Sequence, residues 1–240
     1  MILFSMNQMF NFLRKSKFVI TFVIMAGKIQ GQDWANLNKY QTQNAKLQNP
    51  TAGEKRIIFF GDSITEFWSA IDPDYFKGKH HVNRGISGQT TPQMLIRFRA
   101  DVIALQPKVV VILAGINDIA GNTGPSSIEM IRDNIFSMTE LAKANHVKII
   151  LCSVLPALDF PWKPNQNPVA KIKAINKIVK NYAYKNKIKY VDYYSSMVDE
   201  RQGLKINYSD DGVHPNKAGY QIMKLLANRA IELTLKKSSS

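Results

Sequence analysis

The 240 residues contain one cysteine, Cys152, so no disulfide forms within the chain and no site built on thiolate pairs is available. The four histidines show no His-x-x-x-His spacing, and no metal site is expected. Acidic residues are scarce, 18 against 32 Lys and Arg, for a formal charge of +14. The lysines are scattered in runs no longer than two, so they read mainly as a solvated surface. No nucleic-acid motif accompanies them, and no nucleic-acid partner is expected. A P-loop or Gly-x-Gly-x-x-Gly phosphate cradle is also missing after the first apolar run, which speaks against a flavodoxin-like nucleotide-binding protein. One sustained apolar run near the start, residues 18–26, falls short of the ~20 residues a membrane-spanning helix needs.

That run follows Arg14, Lys15 and Lys17 and precedes a Gly- and Gln-containing stretch, the layout of a secretory leader. Residues 1–32 are therefore expected to be a signal peptide and 33–240 a single domain, periplasmic or secreted. No cysteine follows the run, so no lipid anchor is expected once the leader is removed. Residues 33–49 place Trp34, Leu37, Tyr40 and Leu47 at roughly helical spacing, which predicts a short surface helix. From 56 onward, short apolar runs (57–60, 82–86, 109–114, 147–155 and 189–193) alternate with amphipathic stretches (92–105, 126–145, 169–186 and 217–235). Continuous apolar strands separated by helix-length connections predict a parallel sheet covered on both faces. The expected fold is a three-layer αβα sandwich with five parallel strands; by analogy their order is the flavodoxin-like 2-1-3-4-5. Cys152, inside an apolar run, reads as a small buried hydrophobe.

The polar clusters fall just after those strands, where ligands gather in such sheets. Gly61-Asp62-Ser63-Ile64-Thr65 follows the first, Gly85-Ile86-Ser87-Gly88 the second and Gly115-Ile116-Asn117-Asp118 the third; Asp211-Gly212-Val213-His214-Pro215 precedes the last helix. A serine at a strand-to-helix turn faces the unpaired N–H groups of a helix start, although Asp-Ser there is also ordinary capping chemistry. It is not the Gly-x-Ser-x-Gly elbow, since Thr65 occupies the second glycine position. Gly88 lets a backbone N–H approach a ligand or simply makes a turn, and Asn117 offers a side-chain amide or ordinary loop chemistry. Asp211, three residues before His214, can hold an imidazole tautomer or cap a helix.

Together the four clusters resemble the sequence blocks of the SGNH (GDSL-like) hydrolases, over residues 56–235. The one departure is Ile64 where the alternative family name has Leu. The resemblance implies a serine esterase: Ser63 as nucleophile, His214 as base, Asp211 as its orienter, and an oxyanion hole from the N–H groups of Ser63 and Gly88 and the amide of Asn117. No cofactor is implied, and Asp62 reads as a brace for the turn. The proline-rich segment 157–168 carries Phe160 and Trp162 after the fourth strand; Trp162 either stacks on a sugar ring or packs the loop down. With a leader and no long apolar lid, a short-chain, acetyl ester on a small molecule or polysaccharide is favoured over a long-chain lipid. A lysophospholipase or thioesterase-type acylhydrolase is the alternative, and a non-catalytic glycan-binding module a more distant one.

Overall fold

The computed structural model describes residues 33–78 and 80–236, and the expected leader lies outside them. A compact unit begins at Ala35. Five parallel strands, β1 (Ile57–Gly61), β2 (His81–Gly85), β3 (Val109–Leu113), β4 (Lys148–Cys152) and β5 (Lys189–Val191), form one sheet in the order β2-β1-β3-β4-β5. This is the predicted 2-1-3-4-5 arrangement. β1 and β3 are buried along their whole length, as central strands covered on both faces must be. Their register aligns Gly61 with Gly85 on one side and Leu113 on the other, so the first three strands end level.

Helices α1 (Gln41–Lys46), α2 (Ser63–Ile71), α3 (Thr91–Asp101), α4 (Ile116–Ala120), α5 (Ile128–Ala144), α6 (Val169–Lys185), α7 (Tyr193–Met197) and α8 (Lys217–Lys236) connect and flank them. On one face α3 packs on α5 and α5 on α6; on the other α8 covers β3, β4 and β5 and touches α2. The α2–α8 layer is held by aromatics: Trp68 stacks on Tyr75 at 5.0 Å and on Tyr220 at 5.4 Å, and Phe59 of β1 meets Trp68 edge-on. Tyr220 also donates to the Ile64 carbonyl at 2.8 Å, which fixes the start of α8 against the start of α2.

Several elements are shorter than their apolar patterns. Strand β4 stops at Cys152 because the Asn176 side chain takes both backbone groups of Val154, donating to its carbonyl at 2.9 Å and accepting from its N–H at 2.8 Å. Strand β5 stops at Val191 because Asp192 caps α7, accepting from the Ser195 N–H at 3.0 Å. Near residue 40 only Gln41–Lys46 is helical, and it buries none of its side chains; Tyr40, just before it, is buried and donates to the Gly85 carbonyl. Cys152 is buried, which pushes its thiol up to about 12 and leaves it inert.

Candidate active site

At the carboxyl end of β1 the chain turns straight into α2. Asp62 is the N-cap, its Oδ1 accepting from the Ile64 N–H at 3.0 Å, and Ser63 is the first helical residue. Such a tight turn needs room beside it. A Cβ on Gly85, level with Gly61 in β2, would lie 2.2 Å from the Glu66 nitrogen, so only glycine lets α2 pass this close. Asp62 is 1% exposed and its Oδ2 has no hydrogen-bond partner. Burial, with a smaller contribution from the Asp118 carboxylate, pushes Asp62 up to about 7.

His214 arrives from the loop before α8. Its Nε2 lies 2.9 Å from the Ser63 Oγ and its Nδ1 2.6 Å from the Asp211 Oδ2. The second Asp211 oxygen accepts the backbone N–H groups of Val213 at 2.9 Å and His214 at 2.8 Å, so the loop closes on its own carboxylate. Burial acts to raise the Asp211 carboxyl, but the His214 ring and these backbone donors outweigh it and hold it below the usual carboxylate range. The Ser209 hydroxyl donates to the His214 carbonyl at 2.7 Å and pins the same loop. A neutral imidazole with Nδ1–H toward Asp211 presents its Nε2 lone pair to Ser63, the arrangement a general base requires.

The other predicted residues meet at the same sheet edge. Gly88 has φ +76°, a left-handed value that favours glycine. Its loop is strapped to α2 by Glu66, whose Oε2 accepts from the Ser87 N–H at 2.7 Å and the Ser87 hydroxyl at 2.6 Å. Lys39 pairs with the other Glu66 oxygen at 2.8 Å. Burial works to raise the Glu66 carboxyl, and the Lys39 and Ser87 hydrogen bonds override it and lower it. Asn117 is buried in α4 and donates one amide hydrogen to the Gln89 carbonyl at 3.1 Å. Its second amide hydrogen has no acceptor among the described residues. Asp118 accepts from the Thr91 N–H at 2.9 Å and hydroxyl at 2.6 Å, anchoring the start of α3 beside the Gly88 loop.

A family model described as "GDSL-like Lipase/Acylhydrolase family" matches residues 59–222, a span that contains Ser63, Gly88, Asn117, Asp211 and His214. The chain belongs to the GDSL-like lipase/acylhydrolase family. A solved structure from Bacteroides fragilis assigned as an acylhydrolase is 50% identical and superposes with a TM-score of 0.84, covering 85% of this chain and 99% of that one. Esterase TesA of Pseudomonas aeruginosa is 30% identical over 70% of this chain and 84% of its own length. An uncharacterized lipoprotein of Bacillus subtilis, YqeF, is also 30% identical, but the match covers 45% of this chain and only 51% of that protein.

For an acylhydrolase the surroundings of the histidine matter as much as the triad-like line. Trp162 is 44% exposed, with its ring centroid 5.8 Å from that of His214. Phe67, four residues after Ser63 on the same face of α2, is 39% exposed and 5.3 Å from His214. The imidazole thus has an aromatic neighbour on α2 and another on the 157–168 segment. Beside Asp211 and Gly212 opens a cleft of about 430 Å³ lined by Leu158, Phe160 and Leu204. A larger cavity, about 1110 Å³, lies at the amino ends of β4 and β5 among Lys148, Lys187 and Lys189, at the opposite end of the strands from Ser63.

Three residues escape a sequence reading. Phe67 reads as one more apolar position of an amphipathic helix. Arg97 sits in the polar-looking middle of α3 yet is fully buried, donating to the carbonyls of Gly61 at 2.9 Å and Arg84 at 2.9 Å and to Asp101 at 3.0 Å. It clamps the carboxyl ends of β1 and β2 under the Ser63 turn. Asn122, in the loop after α4, lies within hydrogen-bonding distance of Gly88, Asn117 and Trp162. The Asn117–Asp118 pair stands out only because it follows a strand, and nothing in the sequence marks Asn122 beyond its nearness to them. Among the described residues no group of side chains fits a metal ion, and no helix is long and apolar enough to cross a membrane.

Proposed function

We propose that this acylhydrolase is a serine esterase that removes short acyl groups, acetyl above all, from carbohydrate esters. The observation that carries the reading is the continuous line from Ser63 through His214 to Asp211, at 2.9 and 2.6 Å, beside an aromatic wall. His214 takes the Ser63 proton as Oγ attacks the ester carbonyl, Asp211 stabilises the imidazolium, and the proton then passes to the departing alcohol. Water repeats the sequence on the acyl-enzyme and releases the acid. The negative oxygen of each tetrahedral intermediate rests on the N–H groups of Ser63 and Gly88 and on the free amide hydrogen of Asn117. Removing one such donor costs roughly 3–4 kcal/mol of transition-state stabilisation in comparable sites.

The half-exposed Trp162 ring next to His214 supports a ring-shaped leaving group, because sugars present C–H faces that pack on indole. Export from the cytoplasm, supported by the leader-like residues 1–32, would bring the enzyme to periplasmic or extracellular glycans. The test pairs a fluorophosphonate label with an acetate-release screen on acetylated sugars and polysaccharides. Labelling should be abolished by Ser63→Ala, with the melting temperature retained. Acetate release from at least one glycan should fall in Trp162→Ala. Faster turnover of p-nitrophenyl decanoate than of the acetate would overturn the short-chain assignment, and activity of Ser63→Ala within about tenfold of the parent would remove Ser63 from the mechanism.

A further inference from the structure

The Asn122 side chain is a three-way junction. Its Oδ1 accepts from the Trp162 Nε1–H at 3.1 Å, while its amide donates to the Asn117 Oδ1 at 2.9 Å and to the Gly88 carbonyl at 3.3 Å. Both amide hydrogens and one carbonyl lone pair are thereby used. The backbone N–H of Asn122 donates to the Asn117 carbonyl at 3.0 Å, which sets the two residues one above the other.

The directions of these bonds form a sequence. The indole N–H can only donate, so Asn122 must turn its oxygen to Trp162 and its NH₂ to Asn117. Asn117 must then turn its oxygen to Asn122, and its NH₂ donates to the Gln89 carbonyl and keeps one hydrogen without an acceptor among the described residues. Reversing Asn117 would set NH₂ against NH₂ at Asn122 and oxygen against the Gln89 carbonyl. Reversing Asn122 would set NH₂ against the indole N–H and its oxygen against two other oxygens. The indole N–H thus acts with the Gly88 and Gln89 carbonyls to hold both amides in one orientation, which leaves Asn117 a hydrogen and not a lone pair to offer an oxyanion. Hydrogen bonds in such a chain also polarise one another.

We propose that Asn122 is a positioning residue that couples the Trp162 leaving-group wall to the Asn117 and Gly88 oxyanion donors, so that the oxyanion hole is set most firmly when an alcohol is seated on Trp162. This rests on the serine-esterase reading above. It makes Trp162 a specificity element that acts on kcat through the amide chain, as well as on binding through its ring. A contact that only stiffened the loop would change stability and KM without linking the two residues in kcat.

The test is a double-mutant cycle of Asn122→Ala and Trp162→Phe, the latter keeping a smaller aromatic ring while deleting the N–H. Kinetics are measured on p-nitrophenyl acetate and on an acetylated sugar that the parent enzyme hydrolyses. Asn122→Ala should lower kcat about tenfold, less than outright loss of a donor, with KM changed by no more than about twofold. Its fluorophosphonate labelling rate should fall in step, and the acid limb of its pH profile should be unmoved because His214 and Asp211 are untouched. Trp162→Phe should lower kcat several-fold in the parent, by about threefold or more, and hardly at all in the Asn122→Ala background. Equal effects of Trp162→Phe on kcat in both backgrounds would overturn the coupling, as would an Asn122→Ala defect confined to KM. If Asn122→Ala lowers the melting temperature enough to hinder kinetics, Asn122→Ser replaces it in the cycle under the same criteria. Failure of the esterase reading shows separately, as an active or still-labelled Ser63→Ala.

Discussion

Asp62→Asn should stabilise this protein, and more so as the pH rises. The carboxyl is 1% exposed, its Oδ2 has no partner, and its pKa moves from the ordinary 3.8 to about 7. Between those values the folded chain holds a proton at Asp62 that the unfolded chain has lost, so wild-type stability falls as pH rises across that window. Roughly three pKa units at ~1.4 kcal/mol each set an upper bound of about 4 kcal/mol on the cost of ionised Asp62 above the window. Asparagine keeps the Oδ1 that caps the Ile64 N–H and carries no charge. It puts an unpaired NH₂ where Oδ2 stood, at a cost of about 1–3 kcal/mol, which a protonated carboxyl at the same place also incurs in part. The stability difference between Asp62→Asn and the parent should be near zero at about pH 4.5 and reach at least ~1 kcal/mol at about pH 8. Urea unfolding at those two values measures it. A difference that does not change with pH would mean that Asp62 is ionised without penalty in the folded state, and the argument from its orphaned oxygen would fail.

Arg97→Met should cost about 3–5 kcal/mol of unfolding free energy, because Asp101 is left buried beside an apolar chain and the Gly61 and Arg84 carbonyls each lose a charged donor. A loss below ~1 kcal/mol by urea titration would show that the clamp is dispensable. His214→Ala should lower kcat on the order of 10⁴-fold or more, with Asp211→Asn less damaging. Because the His214 ring and backbone donors hold the Asp211 carboxyl below the usual carboxylate range, Asp211 should stay ionised and keep orienting His214 on mild acidification. An Asp211 carboxyl that titrates, by NMR, at or above the ordinary 3.8 would refute this.

What the sequence made legible follows from where physical rules leave a one-dimensional trace. Strands β1 and β3, buried on both faces, must be apolar throughout, and IIFF and VVVIL announce them. The ends of β4 and β5 left no such trace. They are set by Asn176 reaching back from α6 and by Asp192 capping α7, and both side chains act against apolar runs that read on to Leu155 and Tyr193. The same contrast divides the site. Ser63, Gly88 and Asn117 follow strands and Asp211 and His214 precede the last helix, each a residue type suited to the proposed chemistry, and the structure brings Ser63, His214 and Asp211 into one hydrogen-bonded line. Arg97 and Asp101 occupy the buried i, i+4 positions of α3 beside Met94 and Phe98, where periodicity alone expects apolar side chains. Only a carbonyl-lined space beneath β1 and β2 makes a guanidinium acceptable there, and that space belongs to the folded sheet. Asn122 is harder still, because an asparagine in a Gly-Asn-Thr-Gly loop is ordinary turn chemistry. Its meaning lies in the identity of three partners from separate segments. On the proposed reading, the residues that react can be read from a motif, whereas those that hold them in orientation become visible when the hydrogen bonds around them are traced donor by donor.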